Sequence, residues 1–202
     1  MAKAGQGGLE SLTASIPREN RALPPIEQWN PPFCGDIDMR ISTDGTWFYQ
    51  KTPIGRPALV KLFASILKRE GDKYFLVTPV EKVGVIVEDV PFLAVEMTVV
   101  EAEQDVLRQP PLSHVLRFRT NVDDWVDAGP GHALRFETEA SGGMRPNLHV
   151  RRELWAKVTR ALFYDLVELG EERVVDGKAM FGVASGAEFF AMAEASALRK
   201  FA

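Results

Sequence analysis

Basic side chains at the starts of predicted helices are the residues most suited to binding a ligand. Arg56 directly precedes Pro57 at the start of one predicted helix, and Arg151 opens a second, longer one. A cation is unfavourable there because the positive end of the helix dipole lies at the helix start. Each position therefore needs an anion. This is either an acidic side chain of the protein, the commoner outcome, or a bound phosphate that also contacts the free helix amides.

Further basic residues surround the second of these helix starts. They are Arg145, Arg151, Arg152, Lys157 and Arg160, and Arg69 lies in the first half of the chain. The whole chain carries a formal net charge of -4. A local positive region nevertheless suits a phosphate-bearing ligand, because binding depends on the charges near the site.

Aromatic and hydroxyl-bearing residues lie on or next to the predicted strands. Trp47 and Tyr74 could stack on a base or form one wall of a pocket. Thr78 and Glu81 belong to one Thr/Ser-x-x-Glu sequence, and Ser185 begins a second. Their hydroxyls and the neighbouring amides could bind phosphate, although a turn or a helix cap is the alternative explanation of both sequences.

An acidic cluster close to the single cysteine offers a different chemistry. Cys34, Asp38 and Asp44 could provide a nucleophile and general acid–base groups to a small hydrolase or transferase. The alternative is that the carboxylates form the solvated face of a strand. A lone cysteine is also more often a small buried apolar residue than a nucleophile.

Composition and motifs exclude several functional classes. One cysteine and three histidines allow no internal disulfide and no cysteine-based zinc site. The sequence has no glycine-rich dinucleotide motif, no phosphate-binding loop and no His-x-x-x-His pair, so we expect no cofactor and no metal. The balance of 28 acidic to 24 basic residues argues against nucleic-acid binding. No secretory signal or apolar membrane span is recognised, and we expect a cytoplasmic protein.

The pattern of apolar residues predicts an α+β fold with mostly antiparallel sheets. Alternation on both sides of Asp44-Gly45 predicts a hairpin, and helical spacing begins at Pro57. Two further helices are predicted at residues 150–169 and 185–201. The last of them begins with a Ser-x-x-Glu capping box.

The order hairpin, helix, strand occurs twice, at residues 47–81 and 134–188. This indicates either an internal duplication or the ordinary similarity of two strand–helix units. We interpret residues 1–22 as a flexible tail, 23–88 as an N-terminal α+β half and 89–202 as a C-terminal α+β half. An interface between related halves would be a favoured place for a ligand.

Long and specific motifs mark the first half, among them Asp44-Gly45-Thr46-Trp47-Phe48-Tyr49 and Thr78-Pro79-Val80-Glu81-Lys82. The full set lies in residues 31–41, 44–49, 53–63, 74–82, 87–92 and 185–186. With these residues the chain resembles the bacterial family called domain of unknown function 1285. The resemblance extends over roughly residues 29–192, and its second half is looser.

The resemblance implies an internally duplicated core whose C-terminal half is superficially like a pleckstrin-homology domain, closed by the helix predicted at residues 150–169. It also implies a nucleotide-like ligand between the halves and a role in signal transduction, and it supplies no catalytic residues. We therefore expect the ligand to contact Arg56, Arg151, Trp47, Tyr74, Thr78, Glu81 and Ser185. The hydrolase or transferase and a protein-interaction module, with a protein partner or a homodimer, stay as alternatives.

Overall fold

The computed structural model of the chain describes residues 13, 23–101, 114–139 and 142–198. These residues divide into two compact units. Unit 1 consists of the residues up to Pro91 together with Arg152–Leu154, and unit 2 consists of Phe92–Arg151 and the residues from Trp155 onward. The predicted flexible tail, residues 1–22, lies outside the described residues apart from Thr13.

Unit 1 is a six-stranded sheet with one helix. After a single 3-10 turn at Ile26–Gln28, its elements are β1 (Phe33–Ile41), β2 (Trp47–Tyr49), β3 (Thr52–Pro53), α1 (Pro57–Ser65), β4 (Leu67–Glu70), β5 (Lys73–Val77) and β6 (Lys82–Val87). The strand order is β3-β2-β1-β6-β5-β4, and β1 and β6 run parallel at the centre. Every other neighbouring pair is antiparallel.

The apolar alternation that predicts unit 1 also forms its core. Met39, Ile41 and Trp47 are buried on one face of the sheet, and Phe63 of α1 packs against Trp47 with ring centroids 6.4 Å apart. The predicted hairpin at Asp44-Gly45 is confirmed, since β1 pairs antiparallel with β2. Gly45 has a φ of 78°, a conformation that glycine adopts without strain.

Unit 2 contains a second six-stranded sheet. Its strands are β7 (Phe92–Glu101), β8 (His114–Thr120), β9 (Trp125–Asp127), β10 (Leu134–Thr138), β11 (Met144–Arg151) and β12 (Leu154–Val158), in the order β10-β11-β12-β7-β8-β9. Here β7 and β12 are the parallel central pair. Each sheet therefore consists of two three-stranded meanders joined by a parallel pair, and the first and last strands of the set lie at the centre.

The chain is thus a strand-rich duplication of two halves with largely antiparallel sheets. The structural repeat matches β1–β6 with β7–β12, which differs from the repeat predicted at residues 47–81 and 134–188. The predicted repeat relied on a helix in each copy. The structure inserts a helix between β3 and β4 only, and the second half joins β9 to β10 through a turn at residues 128–133.

The helix predicted at residues 150–169 is wrong in its first half. Residues 150–158 form the end of β11 and all of β12, and only α2 (Arg160–Glu168) is helical. The two strands are joined by the two residues Arg152 and Glu153, of which Arg152 has a φ of 51°. The alternation of buried Leu154, Ala156 and Val158 with partly exposed neighbours is that of a strand.

The helix predicted at residues 185–201 is wrong over residues 185–194, and its residues 199–201 lie outside the described residues. The chain after α2 forms a three-stranded antiparallel sheet of β13 (Glu171–Val175), β14 (Lys178–Ser185) and β15 (Glu188–Glu194), followed by the short α3 (Ala195–Leu198). Ser185 and Glu188 face each other across a hairpin, with Gly186 at a φ of 59°. They therefore form no capping box. Within the described residues, no helix is both long and apolar enough to cross a bilayer.

Candidate functional site

A groove with a volume of about 490 Å³ lies in unit 2, where β11 and β12 meet the start of α2. Its lining residues are Glu139, Gly143, Met144, Arg145, Pro146, Lys157, Val158, Arg160, Phe163 and Tyr164. A volume of this size falls within the range of small-molecule sites, about 300–1,000 Å³.

Three basic side chains line the groove. Arg145 of β11 and Lys157 of β12 are half-buried, and Arg160 is exposed at the first position of α2. Among the described lining residues, Glu139 is the one that bears a carboxylate. Glu137 lies opposite Arg145 in the β10–β11 pairing, and its carboxylate accepts a hydrogen bond of 3.4 Å from Asn147 Nδ2.

Two aromatic rings stand beside these cations on α2. Phe163 is half-buried and Tyr164 is 53% exposed, and their ring centroids are 6.3 Å apart. Arg160 Nε donates a hydrogen bond of 3.0 Å to Tyr164 Oη, and the Arg160 guanidinium lies 5.8 Å from the centre of the same ring. The exposed ring face is therefore held next to positive charge.

The sequence predicts that Arg151 lies at the start of this helix. In the structure, the basic residue at the start of α2 is Arg160. Thr159 is the N-cap residue, Arg160 follows it, and the first turn has no acidic residue. The unfavourable cation at a helix start is thus Arg160. Arg151 lies at the end of β11, so its predicted position at a helix start is wrong.

Arg151 pairs with an acidic side chain, which is the alternative that the sequence left open. The residue is 9% exposed, its Nη1 donates a hydrogen bond to Asp124 Oδ2, and its guanidinium lies 4.9 Å from the centre of the Phe92 ring. Removing the acidic partner of a buried arginine would be strongly destabilising, because the charge would then be buried without compensation.

The two predicted hydroxyl motifs have different surroundings. Ser185 is fully buried, and its Oγ donates to the Ala128 carbonyl at 2.7 Å and accepts from the Leu116 amide at 2.9 Å. Thr78 Oγ1 accepts from the Glu81 amide at 3.1 Å, inside the turn between β5 and β6. Both hydroxyls therefore satisfy backbone groups of the fold.

The remaining predicted site residues are spread over unit 1. Trp47 is 1% exposed within the core, and Arg56 is exposed as the N-cap residue of α1. Tyr74 is half-buried, with the Arg69 guanidinium 5.7 Å from its ring centre, and burial raises the pKa of its hydroxyl. Of the seven predicted residues, only Thr78 and Glu81 are joined by a described hydrogen bond.

Tyr74 lines a second pocket, of about 330 Å³, in unit 1. The pocket lies beside the central strands, near the irregular pairing in which three residues of β1 between Asp36 and Arg40 face a single residue of β6. Its charged lining residues are Asp36, Asp72 and Lys73, and Asp36 lies over Gly84, in the space where a side chain would otherwise project. The pocket therefore has mixed charge and mainly apolar walls.

The acidic cluster near the cysteine does not form one site with either pocket, since neither is lined by Cys34, Asp38 or Asp44. The Asp44 carboxylate accepts hydrogen bonds from Ser42 Oγ and from the Thr46 amide at 2.9 Å, and these bonds lower the pKa of Asp44. Cys34 is exposed on β1. Among the described residues, no group of three or more histidine, cysteine or acidic side chains could hold a metal ion.

Two family models match the chain. Residues 24–90 match the N-terminal domain of the DUF1285 family, a domain of unknown function, and residues 91–192 match the C-terminal domain of the same family. The chain belongs to the DUF1285 family, which confirms the resemblance seen in the sequence.

Solved structures of the same family are similar to the chain. A DUF1285 family protein from Silicibacter pomeroyi DSS-3 is 46% identical with a TM-score of 0.80, covering 95% of this chain and 98% of that protein. A DUF1285 family protein from Shewanella baltica OS155 is 31% identical with a TM-score of 0.49, covering 65% of this chain and 91% of that protein. No curated protein matches the chain.

Proposed function

We propose that this member of the DUF1285 family binds a small phosphate-bearing, nucleotide-like ligand in the unit 2 groove and that binding serves a signalling role without catalysis. The observation that carries the proposal is the grouping of Arg145, Lys157 and Arg160 with two aromatic rings around one groove.

The cations are suited to a phosphate group. Arg145 presents a guanidinium, whose planar set of donors matches phosphate oxygens, and Lys157 adds a point charge. Both are half-buried, so their attraction to an anion is less screened by salt than that of surface charges. Arg160 stands at a helix start, where an anion would relieve its unfavourable position.

The aromatic rings are suited to the other part of such a ligand. A planar base can stack on the exposed face of Tyr164 or against the edge of Phe163, and offset stacking of this kind contributes about 0.5–1.5 kcal/mol beyond the buried area. The Arg160 guanidinium lies 5.8 Å from the centre of the Tyr164 ring, so one ligand of nucleotide size can reach both.

The residues that we propose to contact the ligand differ from those expected from the sequence. Ser185 and Arg151 are engaged in internal contacts, and Trp47 is enclosed in the core of unit 1, so we assign no ligand contact to them. The pleckstrin-homology-like character of the C-terminal half also belongs to this proposal, and a mostly antiparallel sheet followed by one helix supports it.

Titration calorimetry with AMP and ADP tests the proposal. We expect saturable binding to the wild-type protein, about tenfold weaker binding to Arg145→Gln and about threefold to tenfold weaker binding to Arg160→Gln. Because Arg160 is exposed at a helix start, its replacement should change the free energy of unfolding by less than about 1 kcal/mol. Loss of binding in Arg160→Gln is therefore separable from loss of folding.

Lys178→Gln is the matched control. It removes the same charge from unit 2, at an exposed lysine that pairs with Glu194 at 3.0 Å outside the groove. Its affinity should stay within about twofold of wild type. Equal losses in Lys178→Gln and Arg160→Gln, or the absence of AMP and ADP binding to the wild-type protein, would contradict the proposal.

A further inference from the structure

We infer that the hydroxyl of Tyr164 is itself a phosphate ligand in the unit 2 groove and that Arg160 orients it, so that the groove favours a nucleotide over the corresponding nucleoside. This inference rests on the proposed function and assigns Tyr164 as a specificity-determining residue within it. In the proposed function the ring of Tyr164 contacts the base, whereas its hydroxyl is here assigned to the phosphate.

The first observation is a contact between two residues of α2. Arg160 and Tyr164 are four residues apart on the helix, and both line the groove. Arg160 Nε donates a hydrogen bond of 3.0 Å to Tyr164 Oη, and within the described ranges this is the one hydrogen bond of either side chain. A hydroxyl oxygen that accepts a bond still has its own proton to donate. The Tyr164 O–H is therefore available to a ligand, beside the guanidinium.

The shape of a guanidinium places an anion next to this hydroxyl. One edge of the group carries Nε–H and one Nη–H, which point the same way and commonly bind two oxygens of one anion. Tyr164 Oη already occupies the Nε–H of Arg160. A phosphate oxygen bound by the neighbouring Nη–H would lie next to Tyr164 Oη and within hydrogen-bond reach of its O–H. One phosphate oxygen can thus accept from both side chains.

An anionic oxygen gains more from this pair than a neutral oxygen does. Hydrogen bonds to a charged acceptor are stronger than neutral ones, and the bond that Tyr164 accepts from a cation polarises its O–H. A nucleoside offers only neutral hydroxyl oxygens at the same place. Arg160 is exposed and Tyr164 is 53% exposed, so solvent limits the contribution of the hydroxyl to a severalfold change in affinity.

The first experiment is titration calorimetry with AMP and adenosine. For the wild-type protein we expect adenosine to bind about tenfold or more weakly than AMP. In Tyr164→Phe, which keeps the ring and removes the hydroxyl, we expect AMP to bind about threefold to tenfold more weakly. The hydroxyl makes a surface i,i+4 contact, so its removal should leave the thermal unfolding midpoint within about 2 °C of wild type.

Tyr49→Phe is the matched control. It removes a tyrosine hydroxyl from β2 of unit 1, and Tyr49 lines neither the groove nor the unit 1 pocket. AMP affinity in this variant should stay within about twofold of wild type.

A double-mutant cycle tests whether the two side chains act together. Because Arg160 orients the hydroxyl, Tyr164→Phe should weaken AMP binding by less than about twofold when it is made in the Arg160→Gln protein.

The possible results separate the inference from the proposed function. A loss of AMP affinity in Tyr164→Phe that is absent in Tyr49→Phe and reduced in the Arg160→Gln protein supports the inference. An unchanged AMP affinity in Tyr164→Phe, an equal loss in Tyr49→Phe, or losses that multiply fully in the double variant overturns the inference and leaves the proposed function standing. Adenosine binding as tight as AMP binding, or the absence of both AMP and ADP binding to the wild-type protein, overturns the two together.

Discussion

The two six-stranded sheets share one topology and place their pockets differently. In unit 1 the register between the parallel strands β1 and β6 shifts twice, and residues of this irregular region line the 330 Å³ pocket. In unit 2 the register of β7 and β12 is continuous from Phe92 to Ala94, and the 490 Å³ groove lies where β11 and β12 meet α2. Bulges often reposition side chains in a strand.

The comparison teaches that duplication fixed the order of the strands and left the placement of helices free. The helix of the first half is inserted between β3 and β4 and covers the core through Phe63. The helix of the second half follows β12 and brings Arg160 and Tyr164 to the groove. The ligand site that we propose therefore combines β11 and β12, which have counterparts in the first half, with α2, which has none at that place.

The largest expected effect is a difference in the loss of stability caused by alanine at two glycines, one from each unit. In Gly182→Ala the added Cβ would collide with the Phe190 carbonyl oxygen and lie 2.8 Å from Ala191 Cα, and this backbone belongs to the paired strand β15. We expect the free energy of unfolding to fall by about 2–4 kcal/mol, measured by chemical denaturation, because the strands must separate to accept the methyl group.

Gly84→Ala is the counterpart in unit 1. Its added Cβ would meet the end of the Asp36 side chain, which is exposed and can turn away. We expect a loss below about 1 kcal/mol. Equal losses of unfolding free energy in Gly182→Ala and Gly84→Ala would show that both places tolerate an added methyl group equally well. That result would contradict the predicted difference between the two glycines.

The next effect is a difference in stability loss between substitutions in the two Thr/Ser-x-x-Glu motifs, which look equivalent in the sequence. Ser185→Ala leaves the Leu116 amide and the Ala128 carbonyl without their shared hydroxyl in a fully buried place, and we expect a loss of about 1–3 kcal/mol. Thr78 is also fully buried, and Thr78→Ser keeps the hydroxyl of the unit 1 turn while removing one methyl group, so it should lower stability by about 0.5–1.5 kcal/mol. Ser185→Thr is the test of packing, since it keeps the hydroxyl and adds one methyl group.

Thermal and chemical denaturation of these three variants gives the comparison directly. A loss in Ser185→Thr as large as that in Ser185→Ala would assign the effect to packing around Ser185 and would contradict the hydrogen-bond account.

The smallest effect concerns Asp44 at the confirmed hairpin of unit 1. Its hydrogen bonds from Ser42 and Thr46 hold the pKa of the carboxyl below its usual value. A depressed folded-state pKa gives stability that is present above the unfolded pKa, about 3.9, and is lost as pH falls through the folded value. Asp44→Asn should therefore reduce the dependence of stability on pH in the acidic range, measured as unfolding midpoints between pH 6 and about pH 2.5.

The control for this measurement is Asp38→Asn, which removes an exposed carboxylate of the same strand–turn region. If the plots of unfolding midpoint against pH were parallel for wild type and Asp44→Asn, the hydrogen bonds to Asp44 in the turn would not be the source of the pH dependence.

The first half could be predicted from sequence because its signals are local. Asp44-Gly45 marks a hairpin by its residue types, and Pro57 followed by an apolar stripe marks α1. The hairpin between β11 and β12 lacks such a signal, since its turn residues are Arg152 and Glu153. Arg152 adopts a φ of 51°, while its guanidinium donates a hydrogen bond of 2.9 Å to the Pro24 carbonyl.

The candidate site could be predicted in part. Its cations lie in the basic stretch that the sequence shows between Arg145 and Arg160. Their convergence required knowing that residues 144–151 and 154–158 are neighbouring strands, a long-range pairing that no local pattern specifies. Because the helix was predicted to begin at residue 150, the sequence placed Arg151 at the helix start, whereas the structure places Arg160 there.

The central claim is that the ligand binds the unit 2 groove and not the unit 1 pocket. Titration of AMP into isotope-labelled protein, followed by backbone amide chemical shifts, tests it most directly. The account predicts saturable shifts concentrated at residues 143–145 and 157–164. Shifts concentrated at residues 36–37, 72–75 and 84–87, or no saturable shift at all, would contradict it.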